Sequence, residues 1–527
     1  MGDRFDTKYK VGQDNLKKWG MDMHNPVFFI SAILVLVFIV ATLINPVAAK
    51  KIFASSKTWT IENFDWFFMI SGNIFVLFCL VLIVLPAGKI RLGGPDAKPD
   101  FTRMSWFSML FAAGMGIGLM FWSVAEPVAY YTDWWGTPLN VVAKTPEAAR
   151  AAMGATMFHW GLHPWAIYAV VALALAFFTY NKGLPLTIRS TFFPILGDKA
   201  WGIAGHIIDI VAVMATIFGL AASLGFGAQQ AAGGLKFLFG FNNTITLQVI
   251  IIVCVTAVAV ISVVRGLEGG VKVLSNFNMI LALCLLVFVI IAGSFSHFFV
   301  GLGKTTMSYL EYILPLSNWI DRADEKFYKG WTVFYWAWWI SWAPFVGMFI
   351  ARISKGRTIR EFITAVLLVP TVLTIFWMQA FGGNALLQIQ ENIGVLAEKG
   401  LGEVPLALFQ MLANLPMTQI TSFFGIILVL VFFVTSSDSG SLVVDSITSG
   451  GKLDAPVPQR IFWATMEGLI AIALLVGGGS DGLGAIQAAA ITVGLPFTAI
   501  MLVMLISLYL GLRHELKFGY NNTNSTY

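Results

Sequence analysis

FAAGMGIGLMF, residues 111–121, sets Gly114, Gly116 and Gly118 at alternate positions in the middle of an apolar run. Each glycine weakens a helix by about 1 kcal/mol relative to alanine, so the run is expected to unwind here. Inside lipid an unwound backbone survives only where neighbouring protein, water or a ligand uses its freed carbonyls and amides. Carbonyls of that kind suit a cation, and amides suit a carboxylate. Alternating glycines also serve close packing between helices, and a second interruption decides between the two readings.

WAWWISWAP, residues 336–344, supplies a candidate: four tryptophans and a proline inside another apolar run. Proline removes an amide donor and clashes with the preceding turn, so a break at Pro344 is expected. Tryptophan carries an N–H that needs a partner and in lipid normally sits at the interface. Its concentration in mid-span therefore calls for a function.

The surroundings are membrane-like, since 57% of the 527 residues are hydrophobic and 12% charged, which excludes a soluble globular protein. Apolar runs of about 20 residues fall near 26–48, 66–87, 106–124, 148–180, 201–232, 245–265, 274–298, 328–351, 358–384, 420–445, 460–478 and 484–512. The runs are continuous rather than alternating, so the expected fold is an all-α integral membrane protein with 12 transmembrane helices. The first run is too long for the apolar part of a cleavable signal. Arg4, Lys8, Lys10, Lys17 and Lys18 precede it, and Lys89, Arg91, Lys98, Arg103 and Arg352, Lys355, Arg357, Arg360 fall in loops on the same side. Both termini are then cytoplasmic and the chain sits in the cell membrane. The net charge of +5 reflects this bias and implies no nucleic-acid partner.

Cys79, Cys254 and Cys284 lie within spans, and no CxxC, P-loop, HExxH or GxSxG pattern occurs. An enzyme, and an ATP-driven pump in particular, is not expected. YLEYILPLSNWI, 309–320, reads as an amphipathic helix at the outer surface. A channel would want a repeated filter, whereas a transporter wants interrupted helices in two related halves, which is the pattern found.

GMGIGLMFWSVAEP (114–127), FHWGLHPWAIY (158–168), WAWWISWAPFVGMFIARISKGRTIREF (336–362) and FFVTSSDSGS (432–441) together resemble the betaine/carnitine/choline transporters, over nearly the whole chain. The resemblance implies two inverted five-helix repeats, within 101–300 and 328–512, preceded by two extra helices within 26–100. Cytoplasmic segments 1–25 and 513–527 flank a single domain. That fold is similar to the neurotransmitter:sodium symporters, and the family assembles as a homotrimer.

By the same resemblance Trp160, Trp165, Tyr168 and Trp342 form a central aromatic box, with Trp338 and Trp339 on the path in and out. The chemistry is consistent, because a quaternary ammonium has no N–H to donate and is recognised by aromatic faces. Trp338, Trp339 and Trp342 are spaced to share one helical face. Choline-selective relatives carry Asp at the third glycine of GMGIG, where this chain has Gly118. A substrate with its own carboxylate is expected, held by backbone around Ala113, Met115, Gly116 and Gly118. Glycine betaine comes first, with dimethylsulfoniopropionate, carnitine or ectoine behind it.

Resemblance likewise assigns a sodium ion (Na+) to the hydroxyls of Thr435 and Ser436 and to carbonyls of Ala112, Met115 and Phe432, and implies two ions per zwitterion. Phe345, Thr216 and Ser223 stand near a second site without a firm register. Ionisable residues within spans, Asp209, His159, His163, Asp438, Asp445 and Glu467, with Glu126 near a span end, motivate a rival reading of proton-coupled uptake or exchange of choline-like substrates. A ligand-gated channel or sensor is a more distant reading. GLRHELKFGYNNTNSTY, 511–527, is shorter than the charged tails of osmotically regulated relatives.

Overall fold

The computed structural model describes residues 5–114, 116–266, 272–454 and 456–519. Among the described residues the only strands form a hairpin that the sequence reading did not anticipate, β1 (Asn15–Lys18) and β2 (Met21–His24), and the other regular elements are helical. Trp19 and Gly20 between them both have positive φ, 54° and 73°, the requirement of a two-residue hairpin turn that follows strand twist.

Helices α1 (Val27–Ile44) and α2 (Pro46–Val84) follow, separated by Asn45 alone. The sequence suggested a loop before residue 66. Instead the Asn45 side chain accepts from the Ala48 amide at 3.0 Å and Pro46 occupies the first helical position, so a new helix starts at once. Next come α3 (Arg103–Gly114), α4 (Ile117–Tyr131), α5 (Pro146–Trp160), α6 (Leu162–Tyr180), α7 (Ile203–Phe239), α8 (Ile245–Gly266) and α9 (Lys272–Ala292). The amphipathic pattern of 309–320 falls on α10 (Phe295–Ser317), which starts well before it and ends at Ser317, leaving 318–320 outside the helix. The second half holds α11 (Val333–Ile353), α12 (Ile359–Met378), α13 (Thr418–Thr448), α14 (Val457–Gly478) and α15 (Gly482–Phe518).

Among the described residues, ten helical stretches are long and apolar enough to cross a membrane. Helices α3 and α4, with 12 and 15 residues, are each too short because the chain breaks between them. Gly116 there is extended (φ −165°, ψ −173°), as the alternating glycines predicted. The expected break at Pro344 is absent, and α11 runs through it. Only one amide is lost at a proline, and in a buried helix neighbouring elements stabilise the turn. The irregular turn of this segment lies earlier, as a π-helical turn at Tyr328–Thr332. The other interruption falls at Gly161 (φ −100°, ψ −126°), between α5 and α6. Helix α11 occupies the centre, packed on α6, α7, α15 and α2.

The N-terminal segment is tied to the body. Asn15 donates to the Ser449 carbonyl at 2.8 Å, the Asp22 amide to Gln459 at 3.0 Å, and Lys452 reaches the Asp22 carboxylate. Burial, with Arg189 and His206 close by, pushes the His24 imidazole down from 6.5 to about 3. Its neutral form is the docked one. Docking is therefore at full strength above the free value of 6.5 and is lost as pH falls towards about 3. Burial of Asp22 works against its charge, but hydrogen bonds from Lys452 and Asn15 win and hold it below its usual 3.8, a contribution that acid also removes. Limited proteolysis within residues 5–25 is expected to accelerate when the pH is lowered from about 7.5 to about 5. Equal cleavage rates would refute the assignment, and His24→Gln should reduce the pH response.

Candidate substrate site

The break at Gly161 removes the next turn's amides from the last carbonyls of α5, leaving them free for other donors. Trp339 Nε1 takes one, donating to the His159 carbonyl at 2.8 Å. One turn later on α11, Trp342 Nε1 donates to the Gly219 carbonyl of α7 at 2.9 Å. A Cβ on Gly219 would lie 2.8 Å from Ser341 Oγ and 3.0 Å from Trp342 Cδ1, so only glycine lets α7 approach so closely. Backbone breaks and a bare helix face thus fix two of the three indoles in mid-chain.

The rings converge on one cavity lined by Gly116, Gly118, Leu119, Trp160, Pro164, Trp165, Tyr168, Ser223, Trp338, Trp339, Trp342 and Thr374. Trp160 meets Trp339 edge to face with centroids 4.8 Å apart, and Tyr168 meets Trp165 at 5.5 Å and Trp339 at 6.2 Å. Trp338 stacks on Trp339 at 4.6 Å. The ring facing Trp160 and Tyr168 is therefore that of Trp339, while Trp342 borders the same space one turn away, beside Phe345. Trp331 stacks on Trp135 at 3.7 Å and Trp336 on His163 at 5.1 Å; neither lines the cavity.

The glycines differ in their roles. Among the described residues nothing lies within 4 Å of a Cβ built on Gly116, whereas one on Gly118 would meet Trp160 Cη2 at 2.8 Å and Trp338 Cη2 at 2.9 Å. The bare Gly118 lets the edges of two rings close onto α4. Met115 and the Ala113 side chain lie outside the described residues. Leu119, Pro164 and Thr374 were missed by the sequence reading, and Ser223 was considered only for an ion. Thr374 carries no local signal, since a hydroxyl in an apolar helix usually serves its own backbone.

Thr435 Oγ1 donates to the carbonyls of Val431 at 3.0 Å and Phe432 at 3.2 Å. The hydroxyl's lone pairs remain available to a hard cation. Ser436 is half-buried beside it, and α13 packs on α4, just past the glycine break. Thr216 Oγ1 donates to Ala212 and Ser223 Oγ to Gly219, both on α7, which packs on α11.

None of the ionisable candidates lines the cavity. Asp209 pairs with Arg189 at 3.1 Å. Ser262 donates to Asp438 at 2.6 Å, and Ser437 to Glu467 at 2.9 Å. Glu126, expected near a span end, is instead fully buried within α4.

Residues 26–517 match the profile of the betaine/carnitine/choline family of transporters. The chain belongs to that family. A betaine/carnitine/choline family transporter is a multi-pass membrane protein and not an enzyme, in accord with the helices and the aromatic cavity. The chain is 62% identical to "Glycine betaine transporter 1" of Vibrio parahaemolyticus, over 97% of each chain. It is 58% identical to a glycine betaine/proline/choline/ectoine transporter of the same organism, over 97% of this chain and 91% of that one. A glycine betaine transporter of Bacillus subtilis is 42% identical over 90% and 91%.

Proposed function

We propose that the protein is a sodium-coupled symporter for a small zwitterion with a quaternary ammonium or sulfonium head, glycine betaine first. The observation that carries this reading is the convergence of Trp160, Trp165, Tyr168, Trp338, Trp339 and Trp342 with the glycine break in one cavity. Rings hold the cation, each contributing roughly 0.5–2 kcal/mol. Amides at the break hold the carboxylate, with Ser223 and Thr374 as further polar contacts. The absence of a side-chain carboxylate at Gly118 favours a zwitterion over free choline, and the names of the relatives include glycine betaine. The broader substrate set named for one relative makes proline, choline and ectoine the competitors to test.

Counting α3 with α4 as one crossing and separating α14 from α15 brings the ten apolar stretches to twelve crossings, which supports a reading as two inverted repeats after two extra helices. In this reading residues 1–25 and 513–527 are cytoplasmic and the assembly is a homotrimer. Sodium, as co-substrate, binds at Thr435 and Ser436 with carbonyls of Phe432, Ala112 and Met115. Each sodium charge contributes about 2.3 kcal/mol per 100 mV, so two ions would sustain roughly a thousandfold accumulation or more.

Purified protein in proteoliposomes is expected to accumulate labelled glycine betaine under an inward sodium gradient and to stop when potassium replaces sodium. Equal uptake in potassium would remove the ion assignment and favour exchange or proton coupling. Stronger competition by proline, choline, ectoine, dimethylsulfoniopropionate or carnitine would rename the substrate.

A further inference from the structure

Glu126 is a carboxylate with no exposure, placed by α4 directly behind the cavity wall. Its Oε2 accepts from Trp160 Nε1 at 2.7 Å and from the Tyr335 hydroxyl at 2.7 Å. Its Oε1 meets His159 Nδ1 at 2.6 Å and accepts from the Tyr130 hydroxyl at 3.2 Å. His159 Nε2 continues the chain to Thr332 Oγ1 at 3.0 Å. Two donors on each oxygen fill the acceptor capacity of a carboxylate; among the described residues its one basic partner is His159, and neither lysine nor arginine reaches it.

Such a group is costly inside a membrane, and a neutral glutamine would tie Trp160 to Tyr335 with less penalty. What a glutamine cannot supply is negative charge. The Trp160 ring separates Glu126 from the cavity, and Trp160 borders the cavity while Glu126 does not. A hydrogen bond from an indole N–H to a carboxylate fixes the tilt of the ring and enriches its π face. Attraction between Glu126 and a cation beyond the ring falls only with the first power of distance and is strong in a water-poor site.

We propose that Glu126 positions Trp160 and makes the cavity select a cationic head over a neutral one of the same shape. This rests on the aromatic-box reading of the cavity. The test compares glycine betaine with 3,3-dimethylbutanoate, in which carbon replaces the ammonium nitrogen while the three methyls and the carboxylate remain. Binding of labelled betaine to the purified protein in sodium is competed with each compound, for the wild-type chain and for Glu126→Gln.

The wild-type chain is expected to bind betaine and to prefer it. Absence of betaine binding would overturn the box reading and this proposal with it. In Glu126→Gln the preference for betaine over the carbon isostere is expected to shrink at least about tenfold. If both ligands weaken equally, or neither does, Glu126 is a packing residue and the proposal fails while the box stands. Should that variant not fold, Trp160→Phe keeps the charge and a ring but removes the N–H. Betaine affinity is then expected to fall about three- to tenfold with the preference retained, and unchanged affinity or a lost preference would overturn the proposal.

Discussion

Gly118→Leu is expected to abolish substrate uptake, with affinity down at least about 100-fold, while the protein still folds. A Cβ on Gly118 would already sit at 2.8 Å from Trp160 Cη2 and 2.9 Å from Trp338 Cη2. Ring atoms held by an indole hydrogen bond and by stacking cannot swing aside as a lysine tip would. Trp160 is anchored through its N–H to Glu126, and Trp338 is stacked on Trp339. The remaining leucine atoms extend into the space the substrate needs, so binding loses far more than the roughly 1–3 kcal/mol that overpacking costs the fold. Gly118→Ala should have a smaller effect of the same sign, since shifting the two rings by tenths of an ångström costs about 1–3 kcal/mol. Gly116→Ala is the control: its Cβ meets nothing within 4 Å among the described residues, and its extended backbone accommodates any residue, so uptake should change little. Betaine saturation curves on the three variants decide it. Near-normal affinity in Gly118→Leu would mean that the cavity between these rings is not where substrate binds.

The contrast between those glycines explains what the sequence could and could not reveal. Alternating Gly114, Gly116 and Gly118 marked a break because backbone entropy is local, and the break is there. Nothing local distinguishes the glycine that faces open space from the one that meets two rings, since the difference lies in α5 and α11. Pro344 misled for the opposite reason. A proline is a local penalty that a buried helix can absorb, whereas the GLHP stretch that begins at Gly161 does end a helix, as its glycine and proline together suggest. The aromatic residues were legible as a group because their chemistry is rare in mid-span. Their division of labour was not, because whether Trp339 or Trp342 faces Trp160 depends on the rotation of α11. Glu126 was visible as a charge in an apolar run, but its four partners come from three different segments.

Arg189→Ala is expected to destabilise the fold by about 3–5 kcal/mol, the range for breaking a buried ion pair by deleting one partner. Both side chains are completely buried, with Arg189 Nε 3.1 Å from Asp209 Oδ2. Deletion leaves the Asp209 carboxylate with only the amide of residue 189, which now donates at 3.0 Å. The opposite change is milder. In Asp209→Asn the amide oxygen can keep that backbone bond, and the guanidinium retains the Tyr9 hydroxyl at 3.0 Å and the faces of Tyr9 and Trp201 at 5.4 and 5.8 Å. A loss of about 1–3 kcal/mol is expected there. The order of the two effects carries the argument, since a pair that contributed only surface electrostatics would show neither. Equilibrium unfolding of the purified variants in detergent measures both, and similar small losses would contradict the burial argument. Uptake of labelled betaine by Asp209→Asn under an inward sodium gradient, measured well below its unfolding temperature, separates structure from proton coupling. A residue that carries a proton must lose its role when made an amide, whereas one that neutralises Arg189 leaves transport intact in every molecule that folds. Retained uptake is the expected result, and its loss in a folded protein would return Asp209 to the transport mechanism.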